Sequence, residues 1–241
     1  MKFLKSQILP LLAVVSGAAL LILRLCHLNT ANEAGLLASG HFAGIAAGVL
    51  TLLIPAVLLW RSLVFPKEAE CRFPASVTAA LGYGIAALGT VYTAISLLLS
   101  NPDNLLMIAG FAGIVAAVAL GLIASLRLQG SKANVLCYAA VCLFFMLLVI
   151  CQYRMWSSES QPQLYGCALL ATVCLMISTY HRACFDGHMG QLRMFTLFRT
   201  AAIFFCLGAI PGSDFWILYL TGAVLSAADL LNVTAAPQEG G

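Results

Sequence analysis

The sequence predicts an all-α fold: a polytopic transmembrane helix bundle of eight spans in a single membrane domain over residues 1–241, with N- and C-termini cytosolic. Three observations carry that prediction. The chain is 62% hydrophobic and only 9% charged, against about 25% charged in a soluble domain, so it cannot cover its own surface in water. Its apolar residues fall into long continuous runs, at about 6–25, 41–60, 76–99, 105–126, 134–152, 164–181, 194–210 and 214–232, and about 20 apolar residues cross a bilayer core of about 30 Å as a helix. Its basic residues recur on alternate sides of those runs. Spans of a β-barrel would alternate apolar and polar residues over about 10 positions; these runs do not, and in hydrocarbon a helix satisfies its own backbone hydrogen bonds.

The first run follows Lys2 and Lys5 and resembles a secretory signal in its basic start. No small-residue cleavage site follows, and Arg24 and Leu25 stand where a lipoprotein box needs small residues, so an uncleaved first span is expected. Arg24, near the outer end of span 1, reads as an interfacial anchor.

Placing the N-terminus in the cytosol puts Lys2, Lys5, Arg61, Lys67, Arg72, Arg127, Lys132, Arg182 and Arg193 inside, with Arg199 just within span 7 on the same side. Only Arg24 and Arg154 fall outside. This follows the positive-inside bias, and a miscounted span would break the alternation beyond it. The location expected is a bacterial cytoplasmic membrane.

Spans 3–4 and 7–8 are joined by "SNPDN" (100–104) and "IPGSD" (210–214), where Pro and Gly stop one helix and Asn or Asp suits the next cap. Those pairs are expected to be tight antiparallel hairpins. Spans 2 and 6 both end in an aromatic–basic step, "LLWRSLVF" and "TYHRACF", which hints at two parallel four-helix halves. Pro10 and Pro55 lie inside spans and are candidate kinks.

Membrane helices associate through small residues and interhelical hydrogen bonds. Such seams are written at spacings of three and four: His41, Gly44, Gly48, Thr51 and Pro55 on span 2; Gly82, Ala86, Gly89, Thr93, Ser96 and Ser100 on span 3; Gly110, Gly113, Ala117 and Gly121 on span 4; Cys167, Ala171, Cys174, Ser178 and His181 on span 6; Tyr219, Gly222, Ser226 and Asp229 on span 8. On spans 2 and 4 the expectation is close packing. On spans 3, 6 and 8 hydroxyls, a His and an Asp make a polar cavity open to the cytosol an equal contender.

Ionisable side chains inside a span cost about 2.5–3.5 kcal/mol at the centre. Arg199 and Asp229 lie about one turn in from the cytosolic side on the two arms of one hairpin, so they are expected to pair or share a pocket. The candidate binding residues are therefore Arg199, Asp229, Ser226, His181, Ser178 and Thr93. The stretch Arg182 to Arg193 reads as a cytosolic turn.

No catalytic residue, cofactor or metal site is expected. His181, Cys184, Asp186 and His188 do not match a zinc spacing, and Arg182 and Arg193 beside them oppose a cation. The H-E-x-x-H, G-x-S-x-G, Walker A and dinucleotide motifs are missing from the sequence, which disfavours an enzyme. Most of the nine cysteines fall in apolar runs and read as small buried hydrophobes; Cys26 and Cys151 share the outer face. No basic–aromatic pattern suggests nucleic acid as a partner; the bilayer, a small molecule and a partner membrane protein are the partners the composition admits.

The segment "NEAGLLASGHFAG" (32–44), with Glu33, Gly35, Leu36, Leu37, Gly40 and His41, resembles small multi-pass membrane proteins of clostridial-type gut bacteria. The resemblance covers about a dozen residues and brings no activity with it. Three functions stay open from the residues: binding or transport of a small molecule, a non-catalytic membrane subunit, and a motif-poor membrane enzyme.

Overall fold

A computed structural model describes residues 2–30, 41–63, 71–99, 104–157 and 165–235. Eight helices follow in order: α1 (Lys2–Leu28), α2 (Phe42–Ser62), α3 (Val77–Leu99), α4 (Asn104–Leu128), α5 (Val135–Trp156), α6 (Gly166–Asp186), α7 (Leu192–Ala209) and α8 (Trp216–Leu231). Seven are long and apolar enough to cross a membrane; α8, with 16 residues, is shorter. The chain is thus an all-helical bundle built as an integral membrane protein.

The helix ends depart from the predicted spans for local reasons. The shortest helix is α8 at 16 residues, and α1 is the longest at 27 residues. A turn takes up the start of the eighth run: Gly212 has φ +75°, a conformation a side chain resists, and the serine hydroxyl of Ser213 accepts from the Phe215 amide. Helix α6 does not stop at residue 181 but runs on through Arg182 to Asp186. The carboxylate one turn beyond Arg182 offsets its charge, so the helix can carry a guanidinium into the bundle.

Six helices close a ring. Each of α3 to α8 packs on the next, and α8 returns to α3. Helices α1 and α2 lie outside the ring against α7. Helix α7 is therefore the most enclosed, with 72% of its membrane-crossing stretch buried, whereas α2 has 17% and turns Phe42, Val49, Leu52 and Trp60 outward. That face fits hydrocarbon.

Small residues decide which helices approach. On α3, a Cβ at Gly82 would stand 2.6 Å from the Ala228 methyl, and one at Gly89 2.8 Å from Cγ2 of Thr221. The third and eighth helices therefore meet backbone to backbone. The α2 seam behaves differently: a Cβ at Gly44 would meet the His27 ring, but a Cβ at Gly48 would meet nothing within 4 Å among the described residues. On α4, Gly110 and Gly113 pack on α3, and Gly121 is open. The two halves of the chain are also not equivalent. Arg61, at the aromatic–basic step of α2, is exposed, while Arg182, its counterpart on α6, is fully buried.

Polar contacts tie the ends together. Arg24 is buried and donates from Nη1 to the Gly208 carbonyl at 2.8 Å. It closes the carboxyl end of α7 instead of standing as a surface anchor, because the last turn of a helix leaves carbonyls unmatched. Within the bundle, Gln152, Thr172 and Tyr219 join α5, α6 and α8 in one buried network: Gln152 Nε2 donates to the Tyr219 hydroxyl, and the Thr172 hydroxyl donates to Gln152 Oε1 at 3.1 Å. At the opposite end Asn232, just past α8, accepts from Ser76 at 2.6 Å, and its amide donates to Thr78 at 2.8 Å. A two-residue antiparallel pairing of Cys71–Arg72 with Thr234–Ala235 lies beside that clasp. The eight cysteines among the described side chains, Cys26 and Cys151 included, are free thiols.

The expected turn residues 100–103, Lys67, Glu33 and the rest of the 32–40 segment lie outside the described residues.

Candidate functional site

The feature that composition alone does not explain is a set of charges inside the ring. They gather at the end of the bundle where α4, α6 and α8 finish and α3, α5 and α7 begin. Arg127 is the last charged residue of α4; Tyr138 lies in the first turn of α5; Arg182 and Asp186 close α6; Arg199 sits about two turns into α7; Asp229 is in the last turn of α8. Tyr83 reaches in from the second turn of α3. All of these lie at one depth because the helices alternate in direction around the ring.

Two ionic groups are resolved. In the first, Asp186 Oδ2 accepts from Arg127 Nη2 and from the Tyr138 hydroxyl at 2.9 Å, while Asp186 Oδ1 accepts from Arg182 Nη1 at 3.1 Å. The Ala133 amide adds a donor to the same carboxylate at 3.3 Å. In the second, Arg199 Nη2 stands 2.6 Å from Asp229 Oδ2, the Tyr83 hydroxyl donates to that oxygen at 3.0 Å, and Arg199 Nη1 reaches the Ser226 hydroxyl at 3.5 Å. Arg182 lies over the Phe73 ring and Arg199 is 5.7 Å from the Phe195 ring, and these two rings are 5.8 Å apart, which sets the two groups side by side as one cluster.

Arg182 and Arg199 are each 0% exposed, and Asp229 is 2%. Burying ions in a low-dielectric interior costs several kcal/mol each, recovered only where geometry and hydrogen bonds are good. Recovery is incomplete here. Arg127 Nε, Arg182 Nε and Nη2, and Arg199 Nε and Nη2 have no hydrogen-bond acceptor among the described residues. For Arg199 Nη2 the ion-pair contact with Asp229 is close but not in line with its N–H groups. The cluster also holds three guanidinium groups against two carboxylates.

Aromatic rings cover one side. The Phe73 ring centroid is 3.5 Å from Arg182 Cζ, a stacked cation–π contact. Phe185 and Phe195 meet Phe73 edge-on, at 5.4 and 5.8 Å between centroids.

Of the residues singled out in the sequence, Arg199, Asp229 and Ser226 come together. Ser178 is buried one turn from Arg182, but its hydroxyl bonds its own helix at the Leu175 carbonyl, 3.0 Å away. Thr93 likewise donates to the Gly89 carbonyl at 2.9 Å, and it lies far along α3 from Tyr83. His181 is half-buried and stacks on Phe198 with centroids 5.9 Å apart, and no hydrogen bond or ion pair described links it to the charges.

Arg127, Tyr83, Tyr138, Arg182 and Asp186 are not among the binding residues expected from the sequence, where Arg182 and Asp186 read only as parts of a cytosolic turn. Reading Arg182 as part of the turn was the error. The signal for it was present: Ser178, Arg182 and Asp186 continue the α6 seam at spacings of four, and Arg–Asp at i, i+4 is a helical pair.

Comparison with protein-family models, with curated proteins and with solved structures finds no match to this chain.

Proposed function

We propose that this membrane protein binds a small molecule at the charged cluster formed by Arg127, Arg182, Arg199, Asp186 and Asp229, in a bacterial cytoplasmic membrane with the cluster on the cytosolic side. The observation that carries the reading is the set of buried guanidinium N–H groups without acceptors among the described residues. A charge held inside a membrane bundle is expensive and marks a functional site by default. A purely structural network would be closer to balance, as the Gln152–Thr172–Tyr219 network is. Transport is the wider role such a site would serve if it opened to both faces.

Native mass spectrometry of the full chain released from nanodiscs tests the reading. The expected result is a retained small molecule that is lost when Arg199→Gln and Asp229→Asn are combined, a change that removes one charge of each sign. Detection of no small molecule on the wild-type chain, together with no thermal response to any solute tested below, would sink it.

The second reading is a membrane subunit, supported by α2, where Gly48 is open and Phe42 and Leu52 are each 79% exposed. A co-purified protein released by Gly48→Leu in the same spectra would favour it.

A further inference from the structure

We propose that the ligand of this site is an oxyanion, held on the free edge of Arg182. The inference rests on the binding reading above and narrows it to a chemical class.

The first argument is the shape of the donors left over. In a guanidinium, Nε–H and one Nη2–H point the same way and form one edge of the fork, while Nη1 serves the other side. Arg182 spends Nη1 on Asp186. Its Nε and Nη2, both on the remaining edge, have no acceptor among the described residues. Two parallel N–H vectors match two oxygens of a carboxylate, phosphate or sulfate, and this bidentate geometry is what distinguishes arginine from lysine as an anion receptor. A halide presents one centre and cannot use both donors as well.

The second argument is charge. Three guanidinium groups face two carboxylates, and among the described residues the other groups in contact with them are uncharged: the hydroxyls of Tyr83, Tyr138 and Ser226 and the ring of Phe73. A monoanion would bring the described cluster to neutrality. A cation would add to the excess, at a place where water cannot screen it.

The third argument is rigidity. Arg182 is clamped by Asp186 on one side and by the Phe73 ring at 3.5 Å on its face. Phe73 is in turn packed against Phe185 and Phe195. The free edge is therefore held in one orientation before any ligand arrives, which reduces the ordering cost of binding. Arg199 Nε is a further donor, from α7, without an acceptor among the described residues.

The test is thermal unfolding of the purified full chain in neutral detergent, followed with a thiol-reactive fluorophore that reports exposure of buried cysteines such as Cys206. Sodium acetate, phosphate and sulfate are compared with sodium chloride at matched ionic strength, and phosphatidylglycerol in mixed micelles is compared with phosphatidylcholine. Choline chloride and a neutral sugar complete the set. The expected result is a saturable rise in Tm with at least one oxyanion and not with chloride. Arg182→Gln abolishes that rise. Arg182→Lys, which keeps the charge but not the fork, weakens the apparent affinity on the order of tenfold or more. Arg193→Gln, at the half-buried start of α7 and outside the charged cluster, leaves it intact. A response to phosphatidylglycerol without one to free oxyanions assigns the same chemistry to a lipid headgroup. If Arg182→Gln does not fold, Arg182→Lys decides.

An equal response to chloride, or an unchanged oxyanion response in Arg182→Lys, overturns the proposal. A choline or sugar response that needs Arg199 and Asp229 overturns the oxyanion class while leaving the binding site standing. No response to any solute, with no ligand in native spectra, removes both.

Discussion

Each ionisable side chain in the cluster has a cost that its partner offsets, so single substitutions are expected to be harsher than paired ones. Asp229→Asn leaves Arg199 buried without its carboxylate and is expected to destabilise by about 3–5 kcal/mol. Arg199→Gln has a milder effect, because Asp229 keeps the Tyr83 hydroxyl. The double variant should lose about 1–3 kcal/mol less than the sum of the singles; strict additivity in denaturant titrations of the detergent-solubilised chain would refute the coupling. Tyr83→Phe removes one hydrogen bond to Asp229 without changing volume much, and the same titration should show a loss of about 1–2 kcal/mol. Arg199 and Asp229 were legible as a pair from sequence because charges are rare in apolar runs and the hairpin fixes their relative depth. Arg182 was hidden by the reverse logic: charge normally marks the end of a span, and only the third dimension reveals that Asp186, Arg127 and Phe73 surround it.

The same distinction governs the helices. A stripe of small residues tells that a helix can approach another closely, but not whether one is there. On α3 the stripe is used, since a Cβ at Gly89 would come within 2.8 Å of Thr221 Cγ2 and 2.9 Å of Thr221 Cβ. Gly89→Val must push α8 away and is expected to cost about 1–3 kcal/mol. Because α8 carries Asp229 and Ser226, it should also weaken ligand retention. On α2 the same type of stripe faces outward at Gly48. Gly48→Leu is expected to change stability by no more than about 0.5 kcal/mol in the isolated chain. Thermal unfolding of the two variants side by side checks both, and equal losses would mean that α3 and α8 are not in backbone contact. Helix existence was readable from the apolar runs because length and hydropathy suffice for that. Helix ends at Asp186 and Trp216 were not, because they depend on a salt bridge and on the positive φ of Gly212.

At the scale of the whole molecule, the ring and the charge pattern make linked demands on topology. Contacts such as Arg24 with Gly208 join the carboxyl ends of α1 and α7, while Ser76 with Asn232 joins the start of α3 to the end of α8. These contacts hold together only if successive helices alternate in direction, which brings the start of α1 and the end of α8 to one face. That face is the one bearing Arg61, Arg127, Lys132 and Arg193, so the positive-inside bias predicts, as an expectation to be tested, that both termini are cytosolic. The weak link is α8, whose 16 residues reach about 24 Å at about 1.5 Å per residue against a core of about 30 Å. Its polar ends at Asp229 and in the turn before Trp216 must then sit close to the hydrocarbon boundary, with Asp229 sheltered by Arg199 rather than by water. Reporter fusions separate the possibilities. Green fluorescent protein joined after Gly241 is expected to fluoresce, and alkaline phosphatase at the same point to be inactive, whereas phosphatase fused after Ser213 should be active. If phosphatase were inactive at both points, α8 would not cross and the ring could not close through it; if the pattern were inverted, the charged cluster would face the outside and its ligand would have to come from there.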